Sequence, residues 1–331
     1  MGEPTIRDVA ARAQVSVASV SRAMNGANNV HPDTRARIAD AAKALGYIPH
    51  AGARSLSLAR SHAIGVVLPD LHGEFFSELV RGIDRAASEA GYHLLLSNIH
   101  ADAGLAAQAM RTMRGRVDGL IVMAPQFGRT LLDASLPGSL PSVLVATPDA
   151  GERASLRIDN AQGSAEMVRH LVATGRRRIV HVTGGQANLD ARERSGAYRA
   201  ALAEAGLEPP CDPVEGDFQE AAGLLAVRKL VTDGTGFDAI FAANDMMALG
   251  ALQGLREAGL GVPHSIAVAG FDDIPLARYL GLTTVSLDIA GMGARAVERL
   301  VAALENKTGD GPAEERIGTT LAIRDTTGGM T

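Results

Sequence analysis

Apolar residues recur at helical spacing through the first 45 positions of the chain. After residue 62 they alternate between short strand-like runs and longer helical blocks. Ile6, Val9, Ala10 and Ala13 share one face of a first short helix, which Thr5 and Asp8 open as a Thr-x-x-Asp cap. Gln14-Val15 predicts a tight turn, and Ser16 caps a second helix running to about Asn25. A Gly/Asn-rich loop follows. Pro32 then suits the first turn of a third helix ending near Leu45-Gly46. Val9, Ala13, Val15, Val20, Met24, Ile38 and Leu45 can close a small core among the three.

Beyond the stretch 47–60, the apolar runs predict strands at 63–68, 93–97, 119–123, 142–146, 179–183, 239–243 and 266–270. Helical patterns intervene at 76–90, 103–115, 161–174, 191–205, 220–233, 246–258 and 290–305. Strand–helix alternation implies parallel sheets covered by helices. That is too many strands for one small sheet. The expected fold is an all-α helix-turn-helix head plus an α/β body of two doubly wound parallel-sheet subdomains. A ligand cleft lies between them at the strands' carboxyl ends.

Charge sharpens this picture. The 331-residue chain has a net charge of −5, which argues against a uniformly basic nucleic-acid binder. Residues 1–60, however, hold eight Arg/Lys against four Asp/Glu, a net of +4, leaving −9 for the remainder. A basic head on an acidic body suits phosphate contact by one part only. The lone Cys211 allows neither a disulfide framework nor a cysteine metal site and fits a reducing cytoplasm. No apolar run is long enough for a signal peptide or a membrane span. No nucleotide-binding glycine fingerprint, phosphate loop, zinc-protease motif or nucleophile elbow is present, so the sequence carries no enzyme signature and no cofactor or metal is expected.

On the helix predicted at 16–25, Val20, Ala23 and Met24 form one face. Val17, Ala18, Ser21, Arg22 and Asn25 form the other. The second face has no acid and only one long side chain, so it can approach a DNA major groove. There Arg22 can read guanine, and the Val17 and Ala18 methyls can meet thymine methyls. Thr5, Ser16, Ser19, Ser21 and Asn25 can hold phosphates. The same pattern, taken alone, also fits a plain three-helix bundle.

The run from Thr5 to Asn25, with Val15-Ser16-x-x-Ser19-Val20-Ser21-Arg22 at its centre, resembles the head of the LacI/GalR family of bacterial transcription regulators. Ala44-Leu45-Gly46-Tyr47-x-Pro49 and Ala53-Arg54-Ser55-Leu56 continue the likeness, which extends through the body. The resemblance implies a head at 1–46, a hinge at 47–60 and an effector-binding, dimerising core at 61–331. Within the core, one subdomain spans about 61–159 plus 289–318, and the other about 160–288 plus 319–331. It also implies that Ala53, Arg54 and Leu56 enter the minor groove, with Leu56 as an apolar wedge. Here His50 replaces a usual Asn and Gly52 weakens helix formation. Leu56 taken by itself also reads as an interdomain packing residue.

In the body, polar residues stand at predicted strand ends. Arg194, Asn244 and Asp272 match the family's hydroxyl-binding set, Phe218 its stacking aromatic and Phe75 a cleft wall, with Asp159 a further candidate. Taken singly, Asn244, Asp272 and Asp159 also read as helix caps, Arg194 as a surface ion pair, and Phe75 and Phe76 as core. The implied protein is a homodimeric repressor of a pseudo-palindromic operator in double-stranded DNA, switched by a small sugar or sugar derivative. The alternatives are a free sugar-binding protein or a nucleoside-responsive regulator of the same architecture.

Overall fold

The computed structural model describes residues 4–24, 30–47, 60–136, 138, 140–306 and 313–328. The chain forms two compact units: residues 1–63 with 116–118, and the remainder. In the first, helices α1 (Ile6–Ala13), α2 (Val17–Met24) and α3 (Pro32–Leu45) surround a core of Val9, Val20, Ile38 and small alanines. The Asp8 carboxylate accepts from the Thr5 backbone N–H at 2.8 Å and from its hydroxyl at 2.7 Å, which starts α1. Gln14 takes a left-handed φ of 54° to end it. Asp118 anchors the end of this unit by accepting from the Ser61 N–H and hydroxyl and from the His62 N–H.

The second unit holds two six-stranded sheets. The first contains β1 (Ala63–Leu68), β2 (His93–Asn98), β3 (Gly119–Met123), β4 (Ser142–Val145), β5 (Ala154–Ile158) and β11 (Glu314–Ile317), in the order β11-β5-β4-β3-β1-β2. The second contains β6 (Ile179–Thr183), β7 (Val214–Glu215), β8 (Ala239–Ala242), β9 (Ala267–Asp272), β10 (Thr283–Ser286) and β12 (Thr320–Ala322), in the order β12-β10-β9-β8-β6-β7. Every registered pair is parallel except β12, which runs antiparallel to β10. The chain passes from one sheet to the other three times: after β5, after β10 and between β11 and β12. The central strands β1, β3, β8 and β9 are buried along their whole length, as sheets covered on both faces require.

Helices Glu74–Glu89 (α4), Ala103–Met113 (α5) and Arg129–Ser135 (α6) follow β1, β2 and β3. Asn160–Ala173 (α7), Leu189–Glu204 (α8), Glu220–Thr232 (α9) and Asp245–Glu257 (α10) follow β5, β6, β7 and β8. Pro275–Tyr279 (α11) and Ile289–Leu304 (α12) complete the set among the described residues. Helices α9 and α10 touch backbone to backbone. A Cβ built on Gly250 would lie 1.8 Å from the Glu220 carbonyl oxygen, so only glycine fits.

The sequence pattern missed β5, β10, β11, β12, α6 and α11. All are short, and β11, Glu-Glu-Arg-Ile, is an edge strand whose burial reads exposed or half-buried throughout. The starts of α4, α8 and α10 were also read one or two residues late, because acidic residues, Glu74, Asp190 and Asp245, stand in their first turns.

Candidate functional site

Two surfaces have the makings of a site, one in each unit. On α2, Val17 and Ala18 are exposed and Arg22 extends beside them, while Val20 and Ala23 are buried beneath. The Ser16 hydroxyl accepts the Ser19 N–H at 3.1 Å and lies 2.9 Å from the Ser19 hydroxyl, so the pair forms the cap of the helix. The Arg22 Nε donates to the Ala18 carbonyl at 3.2 Å, which leaves the two terminal nitrogens at the end of the side chain. The Thr5 N–H and hydroxyl both donate to Asp8, so Thr5 opens α1 as its cap. Asn25 and the hinge residues Ala53, Arg54 and Leu56 lie outside the described residues.

In the second unit a cavity of about 340 Å³ opens between the two sheets, at the carboxyl ends of their strands. Phe75, Arg194, Phe218, Asn244 and Asp272 all line it. Asp159 does not. It closes β5 and caps α7, its carboxylate accepting the Gln162 N–H at 3.2 Å, so the cap reading displaces the cleft reading. Phe75 meets Phe76 edge to face at 5.3 Å. The Phe218 ring occupies space left by Gly184, where a Cβ would stand 2.2 Å from the ring. Asn244 has two tasks: its Oδ1 caps α10 through the Met247 N–H at 3.0 Å, and its Nδ2 donates to the Phe218 carbonyl at 3.0 Å.

Arg194 is buried and heavily committed. Its Nε donates to Asn160 at 2.8 Å, its Nη1 donates to the Ala243 carbonyl at 2.5 Å, and its plane lies 3.6 Å over the Phe271 ring. Asp272 Oδ1 is 3.5 Å from that guanidinium, yet it has no hydrogen-bond partner among the described residues. Burial pushes the Asp272 carboxyl up to about 7, with Asp190 adding to the rise and Arg194 opposing it. Neighbouring Asp245 is also driven upward by burial and by Asp272. Its oxygens accept from the Thr284 hydroxyl at 2.6 Å and the Ile274 N–H at 2.9 Å, tying α10 to β10.

Sequence reasoning missed Gln126, Asn188 and Asp190, which follow β3 and β6, as well as Asp70 after β1. Asp70 and Gln126 stand just beyond a strand's carboxyl end, so the rule that selected Asn244 would have found them, whereas Asn188 and Asp190 cap and open α8 further on. It also missed Asn160, whose Nδ2 donates to Asp190 and to Glu193, each at 2.8 Å. Glu193 pairs with Arg157 of β5, so a polar chain runs from Asp272 through Arg194, Asn160 and Glu193 to the first sheet. Contacts also cross the cleft near its mouth: Gln219 donates to Asp70 at 3.3 Å, and the Leu276 N–H to Glu74 at 2.8 Å.

Residues 5–50 match the family described as bacterial regulatory proteins, lacI family, and residues 168–327 match a periplasmic binding protein-like domain. The chain is 34% identical to catabolite control protein A of Priestia megaterium, over 92% of this chain and 94% of that protein. It is 35% identical to the ribose operon repressor of Escherichia coli, over 90% of this chain and 92% of that one. The chain belongs to the LacI family of bacterial regulatory proteins. It is a DNA-binding transcription regulator, with the helix-turn-helix head as its DNA-binding part. Its fold is like that of the lac repressor dimer bound to operator and the anti-inducer ONPF, with a TM-score of 0.88 and 28% identity over 98% of this chain and 99% of that one. Among the described residues of the regulator, no helix is long and apolar enough to cross a membrane.

Proposed function

We propose that this regulator is a repressor that binds a pseudo-palindromic operator as a homodimer, and that a small carbohydrate-like effector in the cleft switches its affinity for DNA. The cavity at the strand ends carries the proposal. It combines half-buried aromatic faces with buried polar atoms, the mix that covers C–H surface and engages hydroxyls. The relatives named above support it: one is a ribose operon repressor, and the lac repressor structure holds both operator and a small molecule. The same reading divides the chain into a head at 1–46, a hinge at 47–60 that carries Leu56 as minor-groove wedge, and a core at 61–331.

On this reading Arg22, Val17 and Ala18 contact bases, while Thr5, Ser16, Ser19, Ser21 and Asn25 contact phosphates. Arg194, Phe218, Asn244, Asp272 and Phe75 surround the effector. One head contacts few base pairs, so two-fold pairing on a palindrome supplies the specificity. Exposed Leu95 and Leu96 on edge strand β2, with the largely exposed Tyr279, provide apolar body surface for a partner copy.

The test is fluorescence anisotropy on the promoter DNA of neighbouring genes, with and without sugars, polyols and nucleosides that raise the thermal midpoint. A saturating ligand at about 100 times its dissociation constant stabilises by about 2.7 kcal/mol, which such a scan detects readily. Sedimentation should show two chains per operator. A ligand that stabilises the protein yet leaves operator affinity unchanged would defeat the proposal.

A further inference from the structure

The charge pattern around the cavity defines the class of molecule it accepts. Four carboxyl side chains line it, Asp70, Asp190, Asp217 and Asp272, against one guanidinium, Arg194, and two imidazoles, His72 and His100, of which His72 already faces Glu220 at 3.5 Å. That guanidinium offers little to an incoming anion, since Asn160, the Ala243 carbonyl, Asp272 and the Phe271 ring already engage it.

Helix N-termini are the other common seat for an anion. The residues that cap α4, α8, α9 and α10 (Gly73, Asn188, Gln219 and Asn244) all line the cavity. In each helix the first turn already holds a carboxylate: Glu74, Asp190, Glu220 and Asp245. At α4 and α9 the partial positive charge is answered from within the chain by Glu74 and Glu220, and at α8 and α10 the Asn188 and Asn244 side chains already accept from the first-turn N–H groups. The buried side-chain atoms of the lining that have no hydrogen-bond partner among the described residues, Asp272 Oδ1 (3.5 Å from Arg194) and Gln126 Oε1, are both acceptors. A buried acceptor left unmatched is costly, and a donor from the ligand can satisfy these two.

We infer that the effector is a compact, uncharged, hydroxyl-rich molecule, and that phosphate esters and carboxylates are excluded from the cleft. A sugar hydroxyl donates to Asp272 Oδ1 and Gln126 Oε1, while Phe75 and Phe218 cover its C–H faces. A phosphate ester brings acceptors and like charge to a place already rich in both. The inference rests on the reading of this cavity as the effector site and adds the charge class of the ligand.

Paired titration calorimetry of the full-length protein at pH 8 tests it. Ribose, glucose, galactose and adenosine are each set against an anionic counterpart: ribose 5-phosphate, glucose 6-phosphate, galacturonate and adenosine monophosphate. The neutral member of any pair that binds should bind about tenfold or more tighter than its anion, as expected for a like charge held within a few ångströms of a desolvated carboxylate. The Asp190→Asn variant keeps an amide oxygen for Asn160 and removes one charge beside Arg194. It should narrow the gap several-fold.

An anion that binds as tightly as its neutral parent would overturn the charge inference and leave the effector reading standing. A gap that Asp190→Asn does not narrow would assign the exclusion to shape and overturn it as well. Failure of every member of both sets to bind would remove the carbohydrate-effector reading and this inference with it.

Discussion

Arg22 and Asp272 show how much a single side chain can carry in this molecule. Arg22 is the only long polar side chain on the exposed face of α2, and its Nε is held on Ala18, so its fork is aimed before DNA arrives. Arg22→Ala should weaken operator binding by about 1–3 kcal/mol and relax the preference at one base pair per half-site. A panel of single-base operator variants checks this, and an unchanged preference at every position would remove Arg22 as a base reader. Burial makes the ionised form of Asp272 costly. An acid lifted from 3.8 to about 7 by burial keeps its proton in the folded chain while the unfolded chain has already lost it. Between those values the folded state binds more protons, so stability falls as pH rises. Its contribution is full below 3.8 and is lost on passing about 7. Asp272→Asn should therefore gain on the wild type by a few kcal/mol, in order of magnitude, as pH rises from about 4 to about 8. Urea denaturation at several pH values measures that difference. A difference that stays flat with pH would mean that Asp272 remains ionised in the fold.

At the scale of elements, the cleft depends on how tightly its helices pack. Helix α10 supplies the Asn244 cap and the buried Asp245, and it can sit where it does because α9 approaches the bare backbone at Gly250. Gly250→Ala forces a methyl against the Glu220 carbonyl and should destabilise the fold by about 1–3 kcal/mol, the usual range for overpacking. The shift should move Asn244 and the Phe218 backbone that it holds, so effector affinity should fall further than operator affinity. Thermal unfolding and ligand titration of one preparation test both halves. A variant of wild-type stability would mean that α9 and α10 stand further apart than described.

For the whole molecule, the question is how an event in the cleft is felt elsewhere in the body. The chain Asp272–Arg194–Asn160–Glu193–Arg157 links the cavity wall in the second sheet to β5 in the first, and Asn160 is its middle member. It stands at the start of α7, just past the first crossover between the sheets. Asn160→Ala removes three hydrogen bonds among buried groups and should cost about 1–3 kcal/mol of stability. Its more telling effect should be on coupling, the ratio of operator affinities with and without effector, which should move toward one. Anisotropy titrations at saturating effector give that ratio. A full-sized ratio in Asn160→Ala would show that the signal takes another route.

The three helices of the head were legible in the sequence. They are short, their caps are local (Thr5 with Asp8, Ser16 with Ser19), and the exposed face of α2 is set by a 3.6-residue period that neighbours in sequence decide. The alternating pattern also disclosed the two-sheet body, because buried parallel strands are continuous apolar runs. The cleft was legible only in part. Asn244 and Asp272 stand at apolar strands' ends, where a rule of topology finds them, and Phe218 and Arg194 came from family likeness. What tertiary structure alone decided is which polar groups meet. Asp159 and Asn160 are adjacent in sequence, yet one caps a helix outside the cavity and the other joins Arg194 to Asp190 across 30 residues or more. The short strands β5, β10, β11 and β12 likewise owe their existence to pairing with distant segments, such as β11 with β5. Hydrogen bonds and burial supplied from far along the chain leave no period in the local sequence, so only the folded molecule reveals them.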